Sequence, residues 1–199
     1  MTKVIGILGF DGVEVLDFAG PYEVFTTAER VCVREDFGNQ FKVVSVSSQN
    51  VFTARAGLSM NAQFSLESAP ELDVLIIPGG VTTQAEKDPE LINWLSNVGP
   101  NVEVLASVCT GVFILASANL IGDREVTTHW EDISDLRAKF PNLKIAEGVR
   151  WVDNGQLITS AGISAGIDMS LHLVSKFGGR ELALLAAKQM DYRWQETQN

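Results

Sequence analysis

The feature that most constrains the fold is a series of short, continuous apolar runs separated by stretches with helical spacing. Val4-Ile5-Gly6-Ile7-Leu8, Phe41-Lys42-Val43-Val44-Ser45-Val46, Asp73-Val74-Leu75-Ile76-Ile77 and Val102-Glu103-Val104-Leu105-Ala106-Ser107-Val108 all read as strands. Runs that are apolar throughout suit strands covered on both faces. Gly20-Pro21 predicts a helix start, with Pro at a tolerated first-turn position, and Val24, Phe25, Ala28 and Val31 continue it at helical spacing. Further helices are predicted over 89–98, 110–120, 130–140, 165–177 and 180–190. Residues 51–60 read as a hairpin or two extended pieces, and 125–128 as strand-like. Strands at 149–152 and 156–159 flank Asp153-Asn154-Gly155, a hairpin turn signal. Strands alternating with helices imply a mostly parallel sheet with helices on both faces, a flavodoxin-like doubly wound α/β fold. No linker, repeat or low-complexity tract interrupts the pattern, so residues 1–199 read as a single domain.

Composition narrows the function. A net charge of −10 repels phosphate backbones, which argues against nucleic acid as a partner. No stretch has the roughly 18 uninterrupted apolar residues of a membrane span. The N-terminus runs straight into a strand pattern with no signal-peptide organisation, which argues for the cytoplasm. The chain has two cysteines, Cys32 and Cys109, and two histidines, His129 and His172. A His/Cys metal site would need nearly all of them, so no metal is expected.

In open parallel sheets, ligands bind beyond the carboxyl ends of the strands. Three segments converge on that edge: the one around Asp17, Pro78-Gly79-Gly80, and Cys109. Cys109 follows a strand at once and precedes a helix. The helix N-terminus favours an anion there and is expected to lower the thiol pKa. This is the logic of a strand–nucleophile–helix turn with sulfur in place of oxygen; a buried structural cysteine is the plainer alternative. Gly79 and Gly80 permit close backbone approach, and with the Thr110 N–H their amides are candidates for an oxyanion hole.

Asp17 lies among apolar neighbours, which suits a carboxyl with raised pKa and a proton-shuttling role. A helix cap before Pro21 is the equal alternative. Glu14 is the rival carboxylate, placed in an exposed-looking loop. His129 follows a strand and is a candidate base for the cysteine, or a cap for the helix starting at Trp130. His172 and Cys32, inside apolar helical stretches, read as packing. Asp168 falls early in a helix, where a carboxylate is favoured, and reads as structural.

These segments carry a resemblance. Leu16-Asp17-Phe18-Ala19-Gly20-Pro21, Ile76-Ile77-Pro78-Gly79-Gly80, Ser107-Val108-Cys109-Thr110-Gly111, Val126-Thr127-Thr128-His129-Trp130 and the run from Ala161 to Asp168 resemble the ThiJ/PfpI superfamily, with its class I glutamine-amidotransferase-like fold. The likeness covers nearly the whole chain. Its nearest branch is the isocyanide-hydratase type, which has Leu-Asp-x-x-Gly-Pro and follows its cysteine with Thr-Gly. That resemblance implies a homodimer without a cofactor, in which the thiolate attacks the isocyanide carbon. A thioimidate forms, and water releases an N-substituted formamide. It assigns Cys109 as nucleophile, Asp17 as acid/base and Thr110 as support, with Ile163 near the cysteine.

Thr110 stands where the protease-like branch has a histidine, which disfavours a peptidase. The glyoxalase and deglycase branch uses a glutamate beside its cysteine; Asp17 fills that place here, with Glu14 as the other carboxylate. Activity on α-oxoaldehydes is therefore the enzymatic alternative. The pattern also resembles the N-terminal domain of AraC-type regulators, whose DNA-binding domain this sequence has no room for after residue 190. A non-enzymatic redox or metabolite sensor built on the same cysteine is the third reading.

Overall fold

The structure, a computed structural model, describes residues 2–197. β1 (Lys3–Gly9) is buried along its second half, and a loop leads from it into α1 (Val15–Arg34). Phe18, Val24, Phe25, Ala28, Val31 and Cys32 bury the inner face of α1 at helical spacing. The helix opens at Val15, five residues ahead of the Gly20-Pro21 start expected from sequence, and Pro21 lies inside it. A proline there removes one N–H and leaves only the Asp17 carbonyl without its helical donor, a local loss that twenty residues of packed helix absorb.

β2 (Phe41–Ser47) pairs in parallel with β1, and β3 (Val51–Thr53) and β4 (Ser59–Asn61) form the expected antiparallel hairpin. β5 (Phe64–Ser65) adds an edge to β2. β6 (Val74–Ile77) is fully buried. It leads to α2 (Pro89–Val98), whose Asp88 cap accepts from the Glu90 N–H at 3.0 Å. β7 (Val104–Val108) ends at the cysteine, and α3 (Gly111–Ser117) follows; it is shorter than the predicted 110–120. β8 (Glu125–Val126) pairs with β9 (Lys144–Ile145) outside the main sheet, with a 3-10 turn (Trp130–Asp132) and α4 (Ile133–Lys139) between them. β10 (Trp151–Asp153) and β11 (Leu157–Ser160) flank the predicted turn, closed by the Asn154 N–H on the Leu157 carbonyl. α5 (Ala165–Gly178) and α6 (Arg180–Gln189) follow.

The main sheet has seven strands in the order β10-β11-β7-β6-β1-β2-β5, parallel except for β10. From β1 the chain steps towards β2, and from β6 it steps the other way, towards β7. Right-handed crossovers in opposite directions put α1 and α2 on opposite faces. α1, α5 and α6 pack on one another, and α2 and α3 contact each other across the sheet from them. Ile7 is opposite Ile76, Ile77 opposite Ser107, and Val108 opposite Ser160. The strand ends therefore finish at one edge, with the switch in direction between β1 and β6. An isolated bridge between Val13 and Gly80 joins the loops after these two strands. No helix among the described residues is long and apolar enough to cross a membrane.

Candidate active site

Cys109 occupies the sharp turn that its sequence context predicts. Its φ is 55°, a left-handed conformation that a non-glycine residue holds at a cost of order 1 kcal/mol. Three hydrogen bonds keep it there. Its N–H is shared by the Ser160 carbonyl at 3.1 Å and the Ala161 carbonyl at 3.2 Å, and its carbonyl accepts from the Thr128 hydroxyl at 2.9 Å. The side chain is buried but borders a cavity of about 430 Å³.

Asp17 caps nothing. It lies in the first turn of α1 with its side chain fully buried, and its Oδ2 accepts from the Gly79 N–H at 3.1 Å. Oδ1 has no full hydrogen-bond partner. The Cys109 thiol faces the carboxyl closely enough to favour its charged form, yet burial dominates and pushes Asp17 up to about 7, with the Glu14 charge adding to the rise. The same burial, together with the Asp17 charge, pushes the Cys109 thiol up to about 12. The lowered thiol pKa expected from sequence is thus reversed: the Thr110 and Ile163 N–H groups favour the anion, but burial and the facing carboxylate outweigh them. Between about 7 and about 12, the pair holds one proton.

The glycine pair has a different task from the one its sequence suggests. The Gly79 N–H is taken by Asp17, and the Gly80 N–H donates to the Thr110 hydroxyl at 2.8 Å. That hydroxyl donates in turn to the Gly80 carbonyl at 2.9 Å. Both glycine amides hold Asp17 and Thr110 in place and are not free donors for an oxyanion; among the residues expected to supply them, only the Thr110 N–H favours the thiolate. A Cβ on Gly79 would stand 2.6 Å from the Thr110 nitrogen and 2.8 Å from Asp17 Oδ2, so glycine is what lets the three residues meet. Gly80, at φ 137° and with the Gly12 carbonyl 2.2 Å from where a Cβ would lie, holds the loop against the one after β1.

Glu14, Ile163 and His129 line the cavity with Cys109, as do Gly80 and Thr110. Glu14 is only partly exposed, and Arg55 pairs with it at 3.3 Å. His129 faces the cavity while its Nδ1 accepts from the Glu131 N–H at 3.4 Å, so it caps the 3-10 turn as well; Asp132 lies 3.5 Å from it. Arg55, Glu131 and Asp132 line the same cavity and were not legible in the sequence. Arg55 arrives on the tip of the β3–β4 hairpin, whose docking onto Val13 no local pattern announces. A larger hollow of about 730 Å³ lies at the other end of the strands, near Val4, Asp73 and Val102, and offers no nucleophile.

Away from the site, Cys32 is buried in packing as expected, and burial pushes its thiol up to about 11. His172 departs from the packed-core expectation: it is half-buried, pairs with Asp153 at 2.8 Å and lies against the Trp151 ring. Among the described residues, no three His, Cys, Asp or Glu side chains group so as to hold a metal ion.

The DJ-1/PfpI family profile matches residues 2–176. The isonitrile hydratase of Pseudomonas putida is 31% identical over 193 residues, covering 96% of this chain and 79% of that protein. The transcriptional regulator CdhR of Pseudomonas aeruginosa is 30% identical over 95% of this chain, which spans 55% of the regulator's length. A crystal structure of a ThiJ/PfpI family protein from Pseudomonas syringae superposes with a TM-score of 0.86 at 28% identity, over 98% of this chain and 77% of that one. Drosophila melanogaster DJ-1beta shares the fold with a TM-score of 0.82 at 18% identity, over 98% of this chain and all of that one. A sheet-edge cysteine in a strained turn, a carboxyl beneath it and a match along most of the chain lead to one conclusion: this chain belongs to the DJ-1/PfpI family.

Proposed function

We propose that the chain is an isocyanide (isonitrile) hydratase-type enzyme, with Cys109 as nucleophile and Asp17 as acid/base. The observation that carries this reading is the Asp17 carboxyl, fully buried beside the Cys109 thiol and with one oxygen unpartnered. A carboxylate with a pKa of about 7 accepts a proton readily at neutral pH and returns it within the same cycle. Similarity to the Pseudomonas putida isonitrile hydratase supports the choice of substrate class.

In this scheme Asp17 takes the thiol proton as sulfur attacks the terminal isocyanide carbon. The carbon–sulfur bond forms, and the carbon receives the proton from Asp17, giving a thioimidate, R–N=CH–S–Cys109. Asp17, again ionised, takes a proton from water as the water oxygen adds to that carbon, and passes this proton to the nitrogen. The carbon–sulfur bond then breaks as the new hydroxyl loses its proton to Asp17, which hands it to the departing sulfur, releasing R–NH–CHO and restoring the thiol. Thr110, fixed by its reciprocal hydrogen bonds with Gly80, presents its N–H to the sulfur through the cycle. Gly79 holds Asp17 in register, and Ile163 and His129 form cavity walls. The proposal includes a homodimer that needs no cofactor, acting in the cytoplasm.

The test is formamide production from an aryl isocyanide by wild type and Cys109→Ala side by side. Turnover by wild type alone supports the reading; silence from both removes it and moves the test to methylglyoxal. A second reading, metabolite sensing, is favoured by the match to regulators such as CdhR, of which the chain spans about half. It predicts saturable binding of a small molecule without turnover.

A further inference from the structure

The cavity beside Cys109 has a charge balance that the reaction scheme does not use. Among the described residues, Glu14, Arg55, Glu131 and Asp132 are the charged side chains that line it. The cation of this set, Arg55, is already held by Glu14 at 3.3 Å. Glu131 and Asp132 come from the 3-10 turn after β8 and approach His129, with carboxylate oxygens 3.8 and 3.5 Å from its Nδ1. That nitrogen accepts from the Glu131 N–H, so it has no proton to offer either carboxylate.

The hollow continues beyond the turn. A second one of about 300 Å³ shares Gly80, Val81, Thr110 and Asp132 with the first. Its cation, Lys139, is taken by the buried side chain of Glu86, while Asp135 also lines it. Among the described residues, no lysine or arginine forms an ion pair with Glu131, Asp132 or Asp135. Asp132 borders both hollows and is half-buried. A carboxylate partly withdrawn from water and lacking a cation is poorly compensated, and a cation brought against it recovers part of that cost. The net charge of −10 gives the approach to the cavity the same sign. These acids also wall the space that the Cys109 thiol borders, and beside that thiol the fully buried Asp17 keeps Oδ1 without a partner.

We propose that the substrate of this site carries a cationic nitrogen on its substituent, seated against Asp132 where the two hollows join. For the reaction described above, this means an isocyanide with an ammonium-bearing R group. Glu131 and Asp135 add to the field at that position. Arg55 does not reverse it, because Glu14 offsets its charge. An R group bearing a carboxylate would meet unpaired acids and no free cation among the described lining residues. Asp132 would touch the substituent and not the reacting carbon, so its role is specificity. The proposal rests on Cys109 being the reactive group, but its main test reads the sulfur and not turnover.

The experiment measures modification of Cys109 at pH 7 by 2-aminoethyl and 2-sulfonatoethyl methanethiosulfonate, reagents of similar size and opposite charge, using peptide mass spectrometry on the full chain. Each rate is divided by that of the same reagent with 2-mercaptoethanol, which removes intrinsic reactivity. The expected cation-to-anion ratio in wild type is roughly ten or more, at the low end of electrostatic steering. Asp132→Asn should lower it by roughly three- to ten-fold, the effect of one nearby charge. Asp135→Asn should lower it less, and it keeps the test available if Asp132→Asn does not fold. Glu67→Gln makes the same change in net charge at an exposed position outside both hollows and should leave the ratio unchanged. At about 1 M salt, where the screening length is about 3 Å, the preference should shrink. A wild-type ratio near or below one, or an equal drop in Glu67→Gln and Asp132→Asn, would overturn the proposal. A cation preference at the sulfur with no turnover of an ammonium-bearing isocyanide would count against the reaction and leave the preference standing. Equal turnover of ammonium- and carboxylate-bearing isocyanides would overturn the preference and leave the reaction standing.

Discussion

At the scale of single residues, Asp17 and Cys109 behave as one titrating unit. Asp17 has its folded pKa raised from 3.8 to about 7, so folding favours its protonated form. Its contribution to stability is therefore most favourable below the unfolded pKa and declines as pH rises through about 7, after which it is constant. Asp17→Asn is expected to flatten this slope and to raise stability at pH 8 by up to about 4 kcal/mol, measured as denaturant midpoints across pH. The same variant should lose about 10²- to 10⁴-fold in turnover, the usual value of a positioned acid/base. A variant both less stable at pH 8 and fully active would refute this account of the residue. The sheet-edge pattern placed Cys109 and Asp17 at one edge, with Asp17 equally readable as a cap; their pairing came from the family resemblance. Their pKa order was not legible, because it depends on burial and on a carboxyl 92 positions away in sequence meeting the thiol.

At the scale of elements, the apolar runs gave away β1, β2, β6 and β7, and Pro89 near the start of the 89–98 stretch marked α2. The start of α1 stayed hidden, because Glu14 makes no side-chain cap and Pro21 imitates a first-turn proline. The engagement of the Gly79 and Gly80 amides was equally hidden, since their partners Asp17 and Thr110 come from α1 and from the turn after β7. That engagement makes the β6 loop a spacer between acid and nucleophile. Gly79→Ala should cost about 1–3 kcal/mol through overpacking and depress turnover, because the new Cβ meets both Thr110 and Asp17. Asp88→Ala, which removes the α2 cap, should cost about 1 kcal/mol and leave turnover unchanged. Thermal denaturation with parallel activity assays separates the two; equal effects on activity would contradict the spacer role.

At the scale of the whole molecule, a reversal of strand order between β1 and β6 gathers three loops at one edge, and the core beneath them fixes their spacing. Leu75, fully buried at the centre of β6, should cost about 2–5 kcal/mol on replacement by Ala, with folded protein keeping its thiol chemistry. The acidic side chains around the cavity come from two distant segments, Glu14 from the loop before α1 and Glu131 and Asp132 from one 3-10 turn, that only the closed fold brings together. The central claim is that the active form is the Cys109–Asp17 pair carrying one proton. The pH dependence of kcat/KM for an aryl isocyanide tests it most directly. The account predicts a rate that rises through about pH 7, as Asp17 loses its proton, and then a plateau through the measurable alkaline range. A rate that keeps climbing tenfold per pH unit above 8, tracking the thiol alone, would contradict it.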